Sequence, residues 1–359
     1  LRGKPIWASY KSTVLLINLL VGVSALIIKT MNDAGEFKKL TPHFAGECFP
    51  VSGAIGAEDI TILKNGIAIV SCDDRRKTLN GTPVQGTIYA YDLKQEVPQL
   101  IDLTAGVKFE FHPHGISVFE NENSEVRLAA VNHTQTKNSI EIFDLKNNVL
   151  IHDKTILDPL LVSPNDLVMI DNNMLYVTND HSVSTQRGKM LEDFLQLSRS
   201  NVLFYNGQDF AVAATDLAYA NGINVSRDGT TLYIAETVGN RLSIFSRNTS
   251  TNELLFKQSI DFKSGIDNIE IDVAGNLWIG SHPKLLTFAR HAKNGEKLSP
   301  SQVFKVSPVA DNTYAVDEIY LDSGDGLSAS SVAAVYNNTM LIGPVFDEYF
   351  LQCDFNNGF

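Results

Sequence analysis

Six short polar steps, each leading into an apolar run, hold the residues of this 359-residue chain whose types and spacing suit chemistry. They are Glu58-Asp59, His114-Gly115, Asn165-Asp166, Asn221-Gly222, Asp267-Asn268 and Ser330-Ser331, recurring roughly every fifty residues, in the range of propeller repeats. Glu58, Asn165, Asn221 and Asp267, with Asn268 beside them, are all oxygen donors. Carboxylate and carboxamide oxygens without thiolates suit Ca²⁺, which takes six to eight oxygens in flexible geometry. Glu58 and Asp267 together carry the charge that neutralises one such ion. Asp59 and Asp166 repeat that charge in a second layer, where the Ile116 carbonyl can join them because Gly115 lets the main chain approach. The expectation is therefore two calcium ions per chain, the second more buried and structural. A single Asn or Asp would be read as a turn or strand-end cap, but recurrence at one register argues for a shared role.

His114 opens the second repeat and His133 closes the same hairpin, so their rings should face each other at the metal end. Two imidazoles placed there can serve as general base and tuner. His181 and His282 also stand at strand ends, where a histidine is more often a satisfied structural residue.

Convergence of these side chains requires elements that bring six strand starts together. The first repeat reads Glu58 to Ile62, a Lys64-Asn65-Gly66 turn, then Ile67 to Cys72, two short apolar strands around a hairpin signal. Comparable hairpins follow from His114 to His133, Asn165 to Asp180, Asn221 to Thr237, Asp267 to His282 and Ser330 to Val345, with further strand pairs between them. About four strands per repeat is the content of a propeller blade. The sequence thus predicts an all-β, six-bladed propeller with a central two-calcium channel, each repeat's first strand innermost. One longer interruption, Gln186 to Ser198, has amphipathic helical spacing in Met190, Leu191, Phe194, Leu195 and Leu197. It reads either as a lid over one face or as a helix packed on the rim for stability.

The composition, with 29 basic and 41 acidic residues and a net charge of −12, disfavours a nucleic-acid partner. Arg2, Lys4 and Lys11 precede an apolar run from Val14 to Ile28, the layout of a secretory signal or retained anchor. That run is short for a full membrane span, and a buried core helix is the competing reading. Residues 1–40 are accordingly read as leader and linker, Asn32 to Pro50 as an irregular approach, and 45–359 as the propeller domain. A secreted or membrane-tethered protein is expected. Of the three cysteines, Cys48 and Cys353 flank the repeats, where a ring must join its ends, leaving Cys72 free. A Cys48–Cys72 pair is the alternative. Among five sequons, those at Asn80, Asn248 and Asn337 lie in turn-like surroundings suited to glycosylation, unlike those at Asn132 and Asn224.

In these residues the chain resembles the paraoxonase/arylesterase family of calcium-dependent lactonases. The resemblance rests on Gly56-Ala57-Glu58-Asp59, Pro113 to Ser117, Val131-Asn132-His133, Asn165-Asp166, Thr178 to His181 and Ala220 to Asn224. It continues through Asp267-Asn268-Ile269, Leu277 to Pro283 and Leu341 to Cys353, nearly the whole chain from about residue 45. It implies that Glu58, Asn165, Asn221, Asp267 and Asn268 hold a catalytic calcium, that Asp59, Asp166 and Ile116 hold a structural one, and that His114 and His133 activate water. It also implies a closing Cys48–Cys353 disulfide and a leader retained as a lipid-directed anchor. The chain departs from the family in the loop Asp73-Asp74-Arg75-Arg76-Lys77, which lacks the pocket-lining aromatic. It departs again at Ser281, where a free cysteine is usual, and in a more polar lid segment.

The function expected is calcium-dependent hydrolysis of lactones and aryl esters, with organophosphate triesters as further substrates. The alternatives are a propeller sugar-lactonase or phosphotriesterase, and a non-catalytic module whose calcium only pins the blades.

Overall fold

Each polar step does open an innermost strand. These are Ala57–Ile62, Pro113–Glu120, Pro164–Met169, Ala220–Val225, Gly265–Ile271 and Ser330–Tyr336, and each is the inner edge of its own antiparallel sheet. The computed structural model describes residues 6–310 and 313–356, with side chains from residue 13 onward. The six sheets form a six-bladed β-propeller in which every inner strand packs against the next and the last returns to the first. Apolar faces of neighbouring blades fill the wedges between them. Val131, Ile140 and Ile142 of the second blade, for instance, pack against Leu167, Val177 and Leu203 of the third.

One irregularity recurs in all six inner hairpins. The pairing register shifts between Ala57 and Asp59, Pro113 and Ile116, Pro164 and Leu167, Ala220 and Ile223, Ile266 and Ile269, and Ser330 and Val332. A β-bulge leaves residues out of the ladder and re-aims them, and here the displaced residues belong to the polar steps. Neighbouring strands are so close at this level that side chains would collide. A Cβ on Gly115 would come within 2.4 Å of Asp166 Oδ1, and one on Gly222 within 2.4 Å of the Asp267 carbonyl.

Ring closure follows the cysteine reading. Gly46–Ser52 pairs with Tyr349–Phe355, Cys48 lies opposite Cys353, and the two are disulfide-bonded across 305 residues of sequence. Cys72 is the free, buried thiol. The expectation of an irregular approach from Asn32 to Pro50 is overturned in part. Gly46–Ser52 is the outer strand of the sixth blade, and His43–Phe44 adds a fifth strand to another by pairing with Tyr320 and Leu321.

The N-terminal apolar run lies in a helix from Ile6 to Asp33, longer than the run itself. Its stretch Thr13–Asp33 has a mean hydropathy of 2.2 and none of it is buried, which rules out a core helix. At about 1.5 Å per residue it is long enough to cross a hydrocarbon layer of roughly 30 Å. Its base is docked on the propeller. The Ala34 carbonyl accepts from Leu285 N–H at 2.9 Å, and Glu36 accepts from the Thr287 hydroxyl and Arg290, each at 2.9 Å. Helices Arg75–Leu79 and Leu285–Lys293 were not foreseen from the sequence.

Candidate active site

The bulges place the candidate residues around one end of the channel, and Glu58, Asp59, Asn165, Asp166, Asn221, Asp267 and Asn268 are all buried. Their hydrogen bonds have a common polarity. The amide nitrogen of Asn165 faces Asp180 Oδ2 at 3.4 Å, that of Asn221 faces Thr237 Oγ1 at 2.9 Å, and that of Asn268 donates to Glu58 Oε1 at 3.0 Å. Asp267 Oδ2 is engaged by His282 Nε2 at 2.9 Å. What remains is one oxygen on each, and Oδ1 of Asn165, Asn221, Asp267 and Asn268 is buried without a hydrogen-bond partner. A buried acceptor left unpaired costs about 1–3 kcal/mol, so four together mark a place built for something else to bind. Among the described residues no three His, Cys, Asp or Glu side chains form a cluster of ligating spacing. The converging donors are mainly carboxamides, which suits a hard oxygen-seeking cation rather than zinc or copper.

Three of the four buried carboxylates, all but Glu58, show the same incompleteness. Burial alone would raise Glu58, but His114, Arg75 and Asn268 reverse this and hold it at about 2. Asp267 is raised by burial and by Glu58, despite His282. One layer deeper, Asp59 Oδ2 accepts from Ile116 N–H at 2.7 Å, while Asp166 accepts from Leu167 and Ile223 N–H at 2.7 and 2.9 Å. Burial drives both acids well above the usual carboxylate range, and charge repulsion adds to it, from Glu58 on Asp59 and from Asp59 on Asp166. Uncompensated buried carboxylates of this kind call for a cation.

His114 and His133 meet as the hairpin argument required. Asn138 fixes which nitrogens carry protons: its Nδ2 donates to the Leu161 and Val162 carbonyls at 3.2 Å, so its Oδ1 must accept from His133 Nδ1 at 2.9 Å. In a neutral pair His133 Nε2 then accepts from His114 Nδ1 at 3.0 Å. In that neutral pair the lone pair left over is on His114 Nε2, 3.4 Å from Glu58 Oε1, and once protonated this nitrogen faces the carboxylate as a donor, the state in which His114 lowers Glu58. Burial, with His114 beside it, holds His133 down at about 4.

Several functional-looking groups escaped the sequence reading. Arg75 lies 3.5 Å from Glu58, and His112, in the same motif as His114, is bonded to buried Asp73 at 2.8 Å. His181 and His282, read as structural, do make buried pairs, with Asp180 at 2.7 Å and Asp267 at 2.9 Å. His181 also reaches Asp193 of the helix Gln186–Phe194 at 3.0 Å, and Glu192 accepts from Ser182 N–H at 3.0 Å. That helix presents its charged face inward: Glu192 is buried while Met190, Leu191, Phe194 and Leu195 are exposed. The apolar stripe does not pack on the rim, because the strand ends beneath it are polar. Asn80, Asn248 and Asn337 are exposed, whereas Asn132 is buried and Asn224 half-buried. A groove of about 860 Å³ between Asp33, Lys38, Asn240 and Lys263 shares none of the channel residues.

A blade-built channel lined by oxygen donors, with an imidazole pair at its mouth, defines a propeller hydrolase class of site, and comparison with known proteins agrees. The arylesterase family model matches residues 47–355. Serum paraoxonase/arylesterase 1 of Homo sapiens is 34% identical over 328 residues, covering 88% of this chain and 91% of that protein. Serum paraoxonase/arylesterase 2 of Rattus norvegicus is 33% identical, covering 83% and 86%. Among solved structures, regucalcin from Agrobacterium tumefaciens, described as a calcium-binding protein, shares the fold with a TM-score of 0.51 at 14% identity, over 89% of this chain and 94% of that one. The chain belongs to the arylesterase family.

Proposed function

We propose that this protein is a calcium-dependent hydrolase of lactones and aryl esters, with its active site at the bulged end of the propeller channel. The observation that carries the reading is the set of four unpartnered oxygens, on Asn165, Asn221, Asp267 and Asn268, beside the His114–His133 pair. Its membership in a family whose relatives are named paraoxonase/arylesterase supports the same chemistry.

Those four residues with Glu58 fit a catalytic calcium, and Asp59, Asp166 and the Ile116 backbone fit a structural one, giving two ions per chain. When bound, the catalytic ion supplies positive charge for the oxygen of the substrate carbonyl. The protein's own residues do the rest. His114 Nε2 takes the proton from the attacking water and returns it to the leaving oxygen. His133 accepts from the other nitrogen and, held by Asn138, fixes the tautomer that keeps Nε2 free. The Glu58 carboxylate lies beside the nitrogen that gains the proton. His282 orients Asp267, and Thr237 orients Asn221, so that their free oxygens keep their direction.

We place the hydrolase domain at residues 45–359 and the leader and linker at 1–40. The exposed apolar helix before the propeller, together with the outward face of Gln186–Phe194, supports delivery through the secretory pathway and association with a membrane or lipid surface. Asn80, Asn248 and Asn337 are the positions available to glycan.

A substrate panel tests the reading. The calcium-loaded protein should hydrolyse simple γ- and δ-lactones and phenyl esters. Turnover of sugar lactones alone, or of no ester at all, would replace it with the sugar-lactonase or the binding-module alternative.

A further inference from the structure

The loop after the first blade brings a guanidinium into the site. Arg75 starts the short helix Arg75–Leu79, whose first turn is capped by Asp74 accepting from Lys77 N–H at 3.1 Å. Its Nη1 donates to the Gly56 carbonyl at 3.1 Å, and its Nη2 faces Glu58 Oε2 at 3.5 Å and the Pro113 carbonyl at 3.3 Å. Pro113 immediately precedes His114, so the group sits on the backbone that carries the proposed base. Arg76, its neighbour, is spent on the rim. Arg76 donates to the Phe346 carbonyl at 3.2 Å, lies 2.8 Å from His291 Nε2 and stacks over the Phe346 ring at 4.8 Å. Arg76 thereby fixes the loop, and Arg75 with it.

Arg75 uses three of its five N–H groups in these contacts, and its side chain keeps 15% of its surface exposed. Counting Glu58 and Asp267 against Arg75, the acidic charge around the catalytic donors is one short of neutralising a divalent ion. The loaded site would carry a net positive charge, with the two remaining N–H donors of the guanidinium at its edge. A donor of this kind gives a carboxylate a charge-assisted hydrogen bond as well as an opposite charge.

We infer that Arg75 makes this an anion-selecting site, whose preferred substrates are lactones or esters that carry a carboxylate near the scissile carbonyl. The inference rests on the hydrolase reading and sharpens it to a substrate class. Charge-assisted hydrogen bonds of this kind are worth a preference of about tenfold or more.

The test uses the full calcium-loaded protein and two matched substrates, a γ-butyrolactone bearing a ring carboxylate and the corresponding carboxamide. The wild type should favour the carboxylate in kcat/KM by at least about tenfold, chiefly through KM. Arg75→Gln should erase that ratio, and Arg75→Lys should keep part of it. Tetrahydrofuran carboxylate, which cannot be hydrolysed, should bind at least about tenfold more weakly to Arg75→Gln in calorimetry. Direct Ca²⁺ titration should show Arg75→Gln binding the ion more tightly, because a like charge has gone. Equal use of the two lactones by the wild type, an unchanged ratio in Arg75→Gln, or looser calcium binding in it would overturn the inference and leave Arg75 a brace for Glu58. If neither lactone is hydrolysed while tetrahydrofuran carboxylate still binds through Arg75, the hydrolase reading falls and the anion site stands.

Discussion

His114 Nδ1 lies 3.0 Å from His133 Nε2, and the second ring is itself fixed by Asn138 through Nδ1 at 2.9 Å. This ordering leaves the outer nitrogen of His114 as the one free to accept a proton. His114→Gln should therefore lower lactone kcat by at least about tenfold, within the range general-base help supplies. Calcium affinity and melting temperature should hardly move. Unchanged turnover in that variant would take the histidine out of the chemistry. Asn138→Ala, which frees the His133 ring, should give a smaller loss of kcat with the same KM.

The two layers of donors should respond differently. Asn221→Ala or Asn268→Ala removes a neutral oxygen while Glu58 and Asp267 remain, so activity should fall with the fold intact. Asp59→Ala or Asp166→Ala leaves an unmatched partner deep in the channel, and thermal stability should drop in calcium-containing buffer. Thermal melts and lactone assays on all four variants decide this. The same loss of folding in each would refute a division into catalytic and structural sites.

How far the sequence revealed this arrangement depends on the range of the signal. The inner strands were legible because a polar step before an apolar pair recurs six times, and the recurrence outweighs any single capping residue. The bulges that aim Asn165, Asn221 and Asp267 were not, since a ladder irregularity depends on the partner strand. Gly46–Ser52 was read as irregular because Pro50 interrupts it and its partner, Tyr349–Phe355, lies at the other end of the chain. Helix Arg75–Leu79 is too short for hydrophobic periodicity and depends on the Asp74 cap, so Arg75 was noted only as a missing aromatic. In Gln186–Phe194 the spacing gave the helix correctly, but burial runs the opposite way because His181 and Ser182 beneath it bond Asp193 and Glu192.

That helix should be held by charge and so depend on pH. Burial alone would lower His181, but hydrogen bonds to Asp180 and Asp193 outweigh it and push its pKa from 6.5 up to about 9. A folded-state pKa raised in this way contributes stability that is complete below about 6.5 and lost as pH rises through about 9. Amide hydrogen exchange along residues 186–194 should accelerate through that window, after correction for intrinsic rates. Asp193→Asn should shift the transition towards neutral pH. An alkaline transition unaffected by Asp193→Asn would assign it to another group.

Ring closure by Cys48 and Cys353 constrains a loop of 305 residues, worth roughly 5–6 kcal/mol in the chain-entropy account. Cys353→Ser should lower the melting temperature and fray the sixth blade first, seen as faster exchange in Gly46–Ser52. Cys72→Ser should leave the closure intact. Peptide mapping without reduction that found Cys72 bonded to either partner would contradict the pairing.

The central claim is that the unpartnered oxygens of Asn165, Asn221, Asp267 and Asn268 hold a calcium on which ester hydrolysis depends. The most direct measurement is δ-valerolactone hydrolysis by the purified protein, before and after removal of bound metal with a calcium-selective chelator and again on titration with Ca²⁺. Metal content and the far-ultraviolet spectrum should be followed in parallel. The account predicts that turnover disappears when the ion at these four oxygens is removed while the β-sheet signal persists, and that added Ca²⁺ restores it. Full turnover by a protein shown to be free of calcium would contradict it.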